Sequence, residues 1–158
     1  MKVQDVMTTA PETCAATTNL AAAAAHLWRA DCGVLPVVDR DGKLAGIITD
    51  RDICIALGTR DRQASDVVVG EVMSRDVETC RAEDDVIVAL RRMKQRQVRR
   101  LPVVNESEAV VGILSLNDIV LAIGSGPMAL KPTALLQTLK AICAHSLSIA
   151  VRVKADAA

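Results

Sequence analysis

Two stretches of this chain combine residue types and spacing that could hold a ligand bearing hydroxyls and phosphate. Gly46-Ile47-Ile48-Thr49-Asp50-Arg51-Asp52 is matched by Gly112-Ile113-Leu114-Ser115-Leu116-Asn117-Asp118. In each, an apolar run ends at a hydroxyl residue, and a carboxylate follows three residues later in what would be the first turn of a helix. A Thr or Ser at a helix N-cap leaves nearby backbone N–H groups aimed outward, which suits a phosphate. An ionised Asp one turn on has two acceptor oxygens and can take two hydrogen bonds from vicinal ribose hydroxyls. A capping box, Thr-x-x-Asp or Ser-x-x-Asp, explains either stretch alone without any ligand. Both stretches standing at the same repeat position, each behind a glycine, favours the ligand.

That repeat organises the chain. Sliding the sequence by 66 residues aligns Asp5–Gly58 with Glu71–Gly124 without a gap. Val6-Met7 falls on Val72-Met73, Glu12-Thr13-Cys14 on Glu78-Thr79-Cys80, and Leu35-Pro36-Val37-Val38 on Leu101-Pro102-Val103-Val104. An internal repeat of this kind fixes the architecture before any single element is placed. The expected plan is a first unit over residues 1–62, a second over 63–126 and a tail over 127–158.

Each unit reads as strand–helix–strand–strand–helix, an α/β (α+β) arrangement. A short extended piece around Glu12–Cys14 or Glu78–Cys80 leads into a helix. The first helix is Ala-rich, over about Asn19–Ala30, with Thr17, Thr18 or Asn19 as N-cap; the second follows the acids Glu83-Asp84-Asp85, which suit the positive end of a helix dipole. Two short runs, Val34–Val38 and Leu44–Ile48, flank a hairpin turn at Asp39-Arg40-Asp41-Gly42. A further helix over Arg51–Leu57 is expected to stop at Gly58. The second unit repeats this with Arg100–Val104, Val110–Leu114 and Leu116–Ile123, ending at Gly124. A single unit is small for independent stability, so the pair is expected to pack together. In the tail, Gly124-Ser125-Gly126-Pro127 is a breaker. Pro132 opens a helix near Thr133–His145 with Leu135, Leu139, Ile142 and Cys143 on one stripe, and Ser148–Lys154 reads as a short strand or a frayed end.

Composition narrows the function. The 158 residues carry 19 Lys and Arg against 19 Asp and Glu, are 51% hydrophobic and only 1% aromatic. Balanced charge argues against a chain-wide grip on nucleic acid or anionic membrane, and missing rings weaken any base-stacking reader. The start shows no secretory signal and no run approaches a bilayer's span, so no membrane partner is expected. Five scattered cysteines without a Cys-x-x-Cys pair suit a reducing cytoplasm better than a disulfide framework or a zinc site. The repeat-equivalent Cys14 and Cys80 read as small packing residues rather than nucleophiles. His26 and His145 have no metal-ligand spacing, and no phosphate-binding Gly-rich loop or nucleophile elbow appears. No cofactor, no metal and no catalysis are therefore expected. The basic run Arg91–Arg100 reads as a solvated helix face closing with cations at its C-terminal end, with a nucleic-acid or acidic-partner surface as the lesser alternative.

Asp-Val-Met near the start of the first unit, Leu-Pro-Val-Val in both, and Gly-Ile-x-[Thr/Ser]-x-x-Asp-Ile together resemble a tandem pair of CBS domains, named for cystathionine β-synthase. The resemblance spans about Met1–Gly124. It implies a pseudo-twofold module that binds adenosine-containing ligands (AMP, ADP, ATP, sometimes NAD or S-adenosylmethionine) in clefts between the units. It also implies a homodimer that serves an unidentified regulated protein as an energy or metabolite sensor. Carried over by position, Asp52 and Asp118 hold ribose hydroxyls, with Thr49 and Ser115 near ribose or phosphate. Met7, Thr8, Pro11 and Thr13 of one loop, and Met73, Val77 and Thr79 of the other, border the adenine. Val34, Ile47 and Ile113 enclose the base with aliphatic surface. Arg99 and Arg100 meet phosphate in the second unit; the first has Gly33 and Val34 there, with Arg51 as a partial substitute. The alternative is a non-catalytic dimeric scaffold with vestigial clefts.

Overall fold

The structure, a computed structural model, describes residues 1–122 and 132–155. In chain order its elements are β1 (Thr8–Thr9), β2 (Cys14–Ala15), α1 (Leu20–Arg29), β3 (Val34–Val38), β4 (Leu44–Thr49), α2 (Asp50–Arg60), α3 (Val86–Arg96), β5 (Arg100–Val104), β6 (Val110–Ser115), α4 (Leu116–Ala122) and α5 (Pro132–Ala155). Strands form two three-stranded sheets, ordered β2-β3-β4 and β1-β6-β5. The mixed α/β arrangement of two repeated units with a C-terminal helix is as the periodicity implies.

The chain divides into two compact units that interleave the repeats. One comprises Met1–Thr8, Glu78–Val103 and Ile113–Ala158; the other comprises Thr9–Val77 and Val104–Gly112. They are named below by their carboxylates, Asp118 and Asp52. The cause is an exchange: each repeat's opening segment pairs with the helix start of the other repeat. In the Asp118 unit Lys2 bridges Asp85, and in the Asp52 unit Val68 bridges Asn19. Asp85 and Asn19 are themselves N-caps, accepting from Ile87 N and Ala22 N. Tying an extended segment to a capped helix start satisfies backbone groups that would otherwise be orphaned there.

In the Asp52 unit, α1 buries Leu20, Ala23 and Leu27, spaced for one helix face, against Leu35 and Val37 of β3, Ile48 of β4, and Ile53 and Ala56 of α2. The β3–β4 pairing is antiparallel, with Val34 opposite Thr49 and Pro36 opposite Ile47. Because residues directly opposite share a face, Val34, Pro36, Ile47 and Thr49 lie on the side away from that core. The hairpin turn forms as expected: Gly42 takes φ +74°, and the Asp39 carboxylate accepts from Asp41 N and Lys43 N, 2.9 Å each. In the second repeat Asn105 does the same for Ser107 N and Ala109 N.

The Asp118 unit buries Val86, Ala89, Leu90 and Met93 of α3, Leu101 and Val103 of β5, Leu114 of β6, and Leu116 and Ile119 of α4. α5 packs on α3. Its buried Thr138 hydroxyl donates to Ala134 O at 3.0 Å and approaches Leu90 O at 3.4 Å, and Gln97 Nε2 donates to Ala141 O.

Four sequence expectations differ. The piece at Glu78–Cys80 forms no strand, only an isolated bridge from Cys80 to Val103. Gly58 does not end α2: the helix runs to Arg60, and Asp61 caps it in the left-handed region at φ +48°, a conformation Asp tolerates because its short polar side chain suits that backbone. Ser148–Lys154 is neither strand nor frayed end but lies within α5; Ala, Leu, Ile and Lys in the preceding turns favour continued helix over a lone unpaired strand. Strands β4 and β6 run one residue further than expected, to the hydroxyls that cap the next helices. The expected ends at Ile123 and Gly124 and the breaker through Pro127 lie outside the described residues, as does the His145 side chain.

Cys14 and Cys80 occupy equivalent places, beside Val37 and Val103, and are 7% and 1% exposed. Burial pushes their thiols up to about 11 and about 12, the latter aided by the Asp84 charge. At pH 7.5 a maleimide reagent should label the exposed Cys54 and Cys143 within minutes, and Cys14 and Cys80 only after unfolding, as read by peptide mass spectrometry.

Candidate functional site

The strand-to-helix turns at Thr49 and Ser115 are built alike. Thr49 is the N-cap of α2, and its Oγ1 accepts from Asp52 N at 3.2 Å. Asp52 Oδ2 in return accepts from Thr49 N at 2.9 Å and Thr49 Oγ1 at 2.7 Å. Around Ser115 the same three bonds measure 3.2, 2.7 and 2.8 Å, again through Oδ2 of the aspartate. The capping box is therefore present in both copies. In each, one carboxylate oxygen is spent on the cap, and Oδ1 has no protein hydrogen bond among the described residues. Both carboxylates are half-buried. Cap and ligand holder are compatible in one side chain, since an ionised oxygen has two lone pairs and Oδ1 keeps both.

In the Asp52 unit, the loop after the Val69–Glu71 turn lies directly on β4. Ile47 and Ser74 exchange two backbone hydrogen bonds, each 2.9 Å. This approach requires Gly46: a Cβ there would stand 2.8 Å from both Met73 Sδ and the Ser74 carbonyl. The Ser74 backbone thus joins Ile47 on β4, while Met73 packs against the core beside Gly46. Pro11 and Thr13 of the same unit are half-buried on the approach to β2, and Arg51 is exposed on α2. The pairing of Ser74 with Ile47 across Gly46 is not foreseen by the sequence, because a cross-repeat backbone contact leaves no local signal.

In the Asp118 unit, Met7 is half-buried and Thr8 is exposed in β1, the strand beside β6 that carries Ile113 and Ser115. Arg99 is tied to the turn, its carbonyl accepting from Leu116 N at 3.0 Å. Arg100 opens β5, half-buried. Neither guanidinium has an ion pair among the described residues. The Thr79 carbonyl accepts from Arg92 at 2.8 Å.

The basic run is neutralised in part. Arg92 holds Asp84 at 3.0 Å, and Arg96 holds Glu78 at 3.4 Å. These ion pairs interrupt the positive surface that a polyanion would use. His26, the repeat counterpart of Arg92, places Nδ1 3.3 Å from Glu12 Oε2, the counterpart of Glu78. Among the described residues no cluster of His, Cys, Asp and Glu could hold a metal ion, and no helix is long and apolar enough to cross a membrane.

Comparison with known proteins agrees with this geometry. The family model for the CBS domain matches residues 3–59 and again 69–125. The chain is 34% identical over 117 residues to the CBS domain-containing protein YhcV of Bacillus subtilis, covering 74% of this chain and 81% of that protein. The structure superposes on the CBS domain pair of protein MJ0100, solved in complex with 5′-methylthioadenosine and S-adenosyl-L-methionine, with a TM-score of 0.72 and 31% identity over 79% of this chain and 97% of that one. It also superposes on CBSX2 in complex with AMP, with a TM-score of 0.66 and 26% identity over 77% and 94% of the two chains.

Thr49→Val should remove the N-cap bond and lower stability by about 1 kcal/mol, read as a lower denaturant midpoint with no ligand present. Gly46→Ala should push Ser74 off β4 and cost at least as much.

Proposed function

Because the chain belongs to the CBS domain family as a tandem pair, we propose that it is a regulatory module binding adenosine-containing ligands at its two Thr/Ser-x-x-Asp turns. The observation that carries this is the open Oδ1 of Asp52 and of Asp118, held in orientation by the cap and half-buried beside apolar surface. Vicinal ribose hydroxyls donate to it, and aliphatic residues enclose the base: Val34, Ile47, Met73 and Val77 in one unit, Met7 and Ile113 in the other. AMP, ADP, ATP, NAD and S-adenosylmethionine share the adenosine part that such a turn recognises. The ligands of the CBS pair of MJ0100 and of CBSX2 support that choice.

The module acts without catalysis, as an energy or metabolite sensor for a regulated protein in a reducing cytoplasm, where its unpaired cysteines are stable. A ligand regulates only by binding two arrangements of the protein unequally. Trp28 at 87% exposed and Leu121 at 77% are large apolar side chains available to a second copy or the regulated protein. This observation also supports the scaffold alternative, in which the turns serve as caps alone.

Calorimetric titration with AMP, ATP, NAD and S-adenosylmethionine separates the two. At least one should bind, and pairing Asp52→Ala with Asp118→Ala should abolish the heat. No heat with any of them, together with an unchanged melting temperature, would leave only the scaffold. With one Trp and no Tyr, protein purified with nucleotide should absorb most strongly near 260 nm.

A further inference from the structure

The extended segment before each repeat's first helix is fastened to that helix by a glutamate, and the two repeats use different cations for it. In the Asp118 unit Glu78 lies 3.9 Å from Arg92 Nε and 3.4 Å from Arg96 Nε. Arg92 also donates to Thr79 O at 2.8 Å and to Asp84 at 3.0 Å. A guanidinium stays charged throughout the pH range of proteins. In the Asp52 unit the place of Arg92 is held by His26, whose Nδ1 stands 3.3 Å from Glu12 Oε2. The place of Arg96 is taken by Ala30, and that of Asp84 by Thr18. A single histidine therefore stands where two arginines hold the other segment.

Strand pleating places the residues that this tie controls. Cys14 is opposite Val37 in the β2–β3 pair and belongs to the core that α1 covers. Side chains of extended backbone alternate between faces, so Glu12 shares the α1 side with Cys14, as its contact with His26 requires. Thr13, between them, belongs to the other side, which carries Pro36, Ile47 and Thr49 of β3 and β4. Holding Glu12 on α1 thus fixes the orientation of the segment that carries Thr13 on the side of the Thr49–Asp52 turn. The charged groups about His26 are Glu12 and, one turn on along α1, Arg29. β3 and α2 set apolar Leu35, Val37, Ile53 and Ala56 against that helix. Histidine changes charge between about pH 5 and 8. Protonated, the ring donates from both nitrogens and attracts the carboxylate; neutral, it keeps one N–H, and in one tautomer Nδ1 turns a lone pair to Glu12.

We propose that His26 is a positioning residue for the Thr49–Asp52 turn and makes ligand affinity there depend on pH. Protonated, it holds Glu12 on α1 and keeps Thr13 beside the ligand; neutral, it loosens that segment. Binding at this turn is strongest on the acid side of the histidine range and falls as pH rises through it. The Ser115–Asp118 turn, whose segment is held by Arg92 and Arg96, keeps its affinity across the same range. The inference rests on the adenosine-binding function proposed above and adds a proton as a regulator of one of the two turns.

The test is calorimetry on the full chain with adenosine, which does not itself titrate between about pH 6 and 8, at both ends of that range. The proteins are the wild type, Asp52→Ala, Glu12→Gln and His26→Arg. In the wild type the site that Asp52→Ala removes should weaken about two- to fivefold from the acid to the alkaline end, the strength of a half-exposed ion pair. The other site should not change. His26→Arg, which copies Arg92, should hold the first site at its tight value at both ends, and Glu12→Gln at its weak value. The second readout is amide hydrogen exchange of residues 12–15 without ligand, divided by the intrinsic rate. Protection should fall with rising pH in the wild type and stay constant in His26→Arg. A first site indifferent to pH in the wild type, or a pH dependence that survives in either variant, would overturn the proposal while leaving adenosine binding intact. Protection that follows pH with no adenosine binding would uphold the tie and overturn the adenosine reading; protection indifferent to pH would overturn the tie.

Discussion

At the end of β4 and of β6 an aspartate carboxylate folds back on the hydroxyl residue three positions earlier and takes two hydrogen bonds on one oxygen. Those bonds stop the strand, start the helix and fix the plane of the carboxylate. The direction of the second oxygen is then set by the cap. An acceptor that would otherwise rotate is preorganised, so a ligand bonding to it loses little side-chain entropy. A change at that side chain therefore removes the cap and the fixed oxygen together.

The second constraint is the exchange of opening segments between repeats. Pairing Val68 with Asn19 carries the following loop onto β4, where Ser74 meets Ile47 across Gly46. Residues from both repeats therefore meet beside Asp52 within one compact unit. In the proposed function, a ligand held there would favour whichever arrangement keeps that junction closed, the unequal affinity that regulation requires.

Much of this was legible in the sequence. The gapless repeat, the β-branched runs, the hairpin turn at Gly42 and the Thr/Ser-x-x-Asp spacing are local patterns, and local patterns survive folding. Asn19 was one of three candidate caps, and it is the one whose side chain accepts from Ala22 N. What was not legible is non-local or a matter of competition. Gly58 looks like a stop, but α2 buries Ile53 and Ala56 and continues to Arg60, so packing outweighs the modest propensity cost of one glycine. The interleaving of repeats has no sequence signature, because the residues that pair are far apart in the chain and contribute only backbone groups. That Asp52 and Asp118 cap their helices through one oxygen and leave the other open was hidden for a different reason. Cap and ligand holder look like rivals in a motif, and only the distances assign the cap to Oδ2 and leave Oδ1 open.

The basic run shows how charge in a sequence is redistributed by contacts. Ten residues rich in Arg and Lys suggest a polyanion surface, yet Glu78 and Asp84 engage Arg92 and Arg96, and the cations left at the strand start are those beside Ser115. The most direct measurement of the central claim, that the open carboxylate oxygens hold ribose hydroxyls, is calorimetric titration with AMP against 2′-deoxy-AMP. Loss of one hydroxyl bond to a carboxylate should weaken binding by about tenfold or more. Equal affinity for the two nucleotides would contradict it.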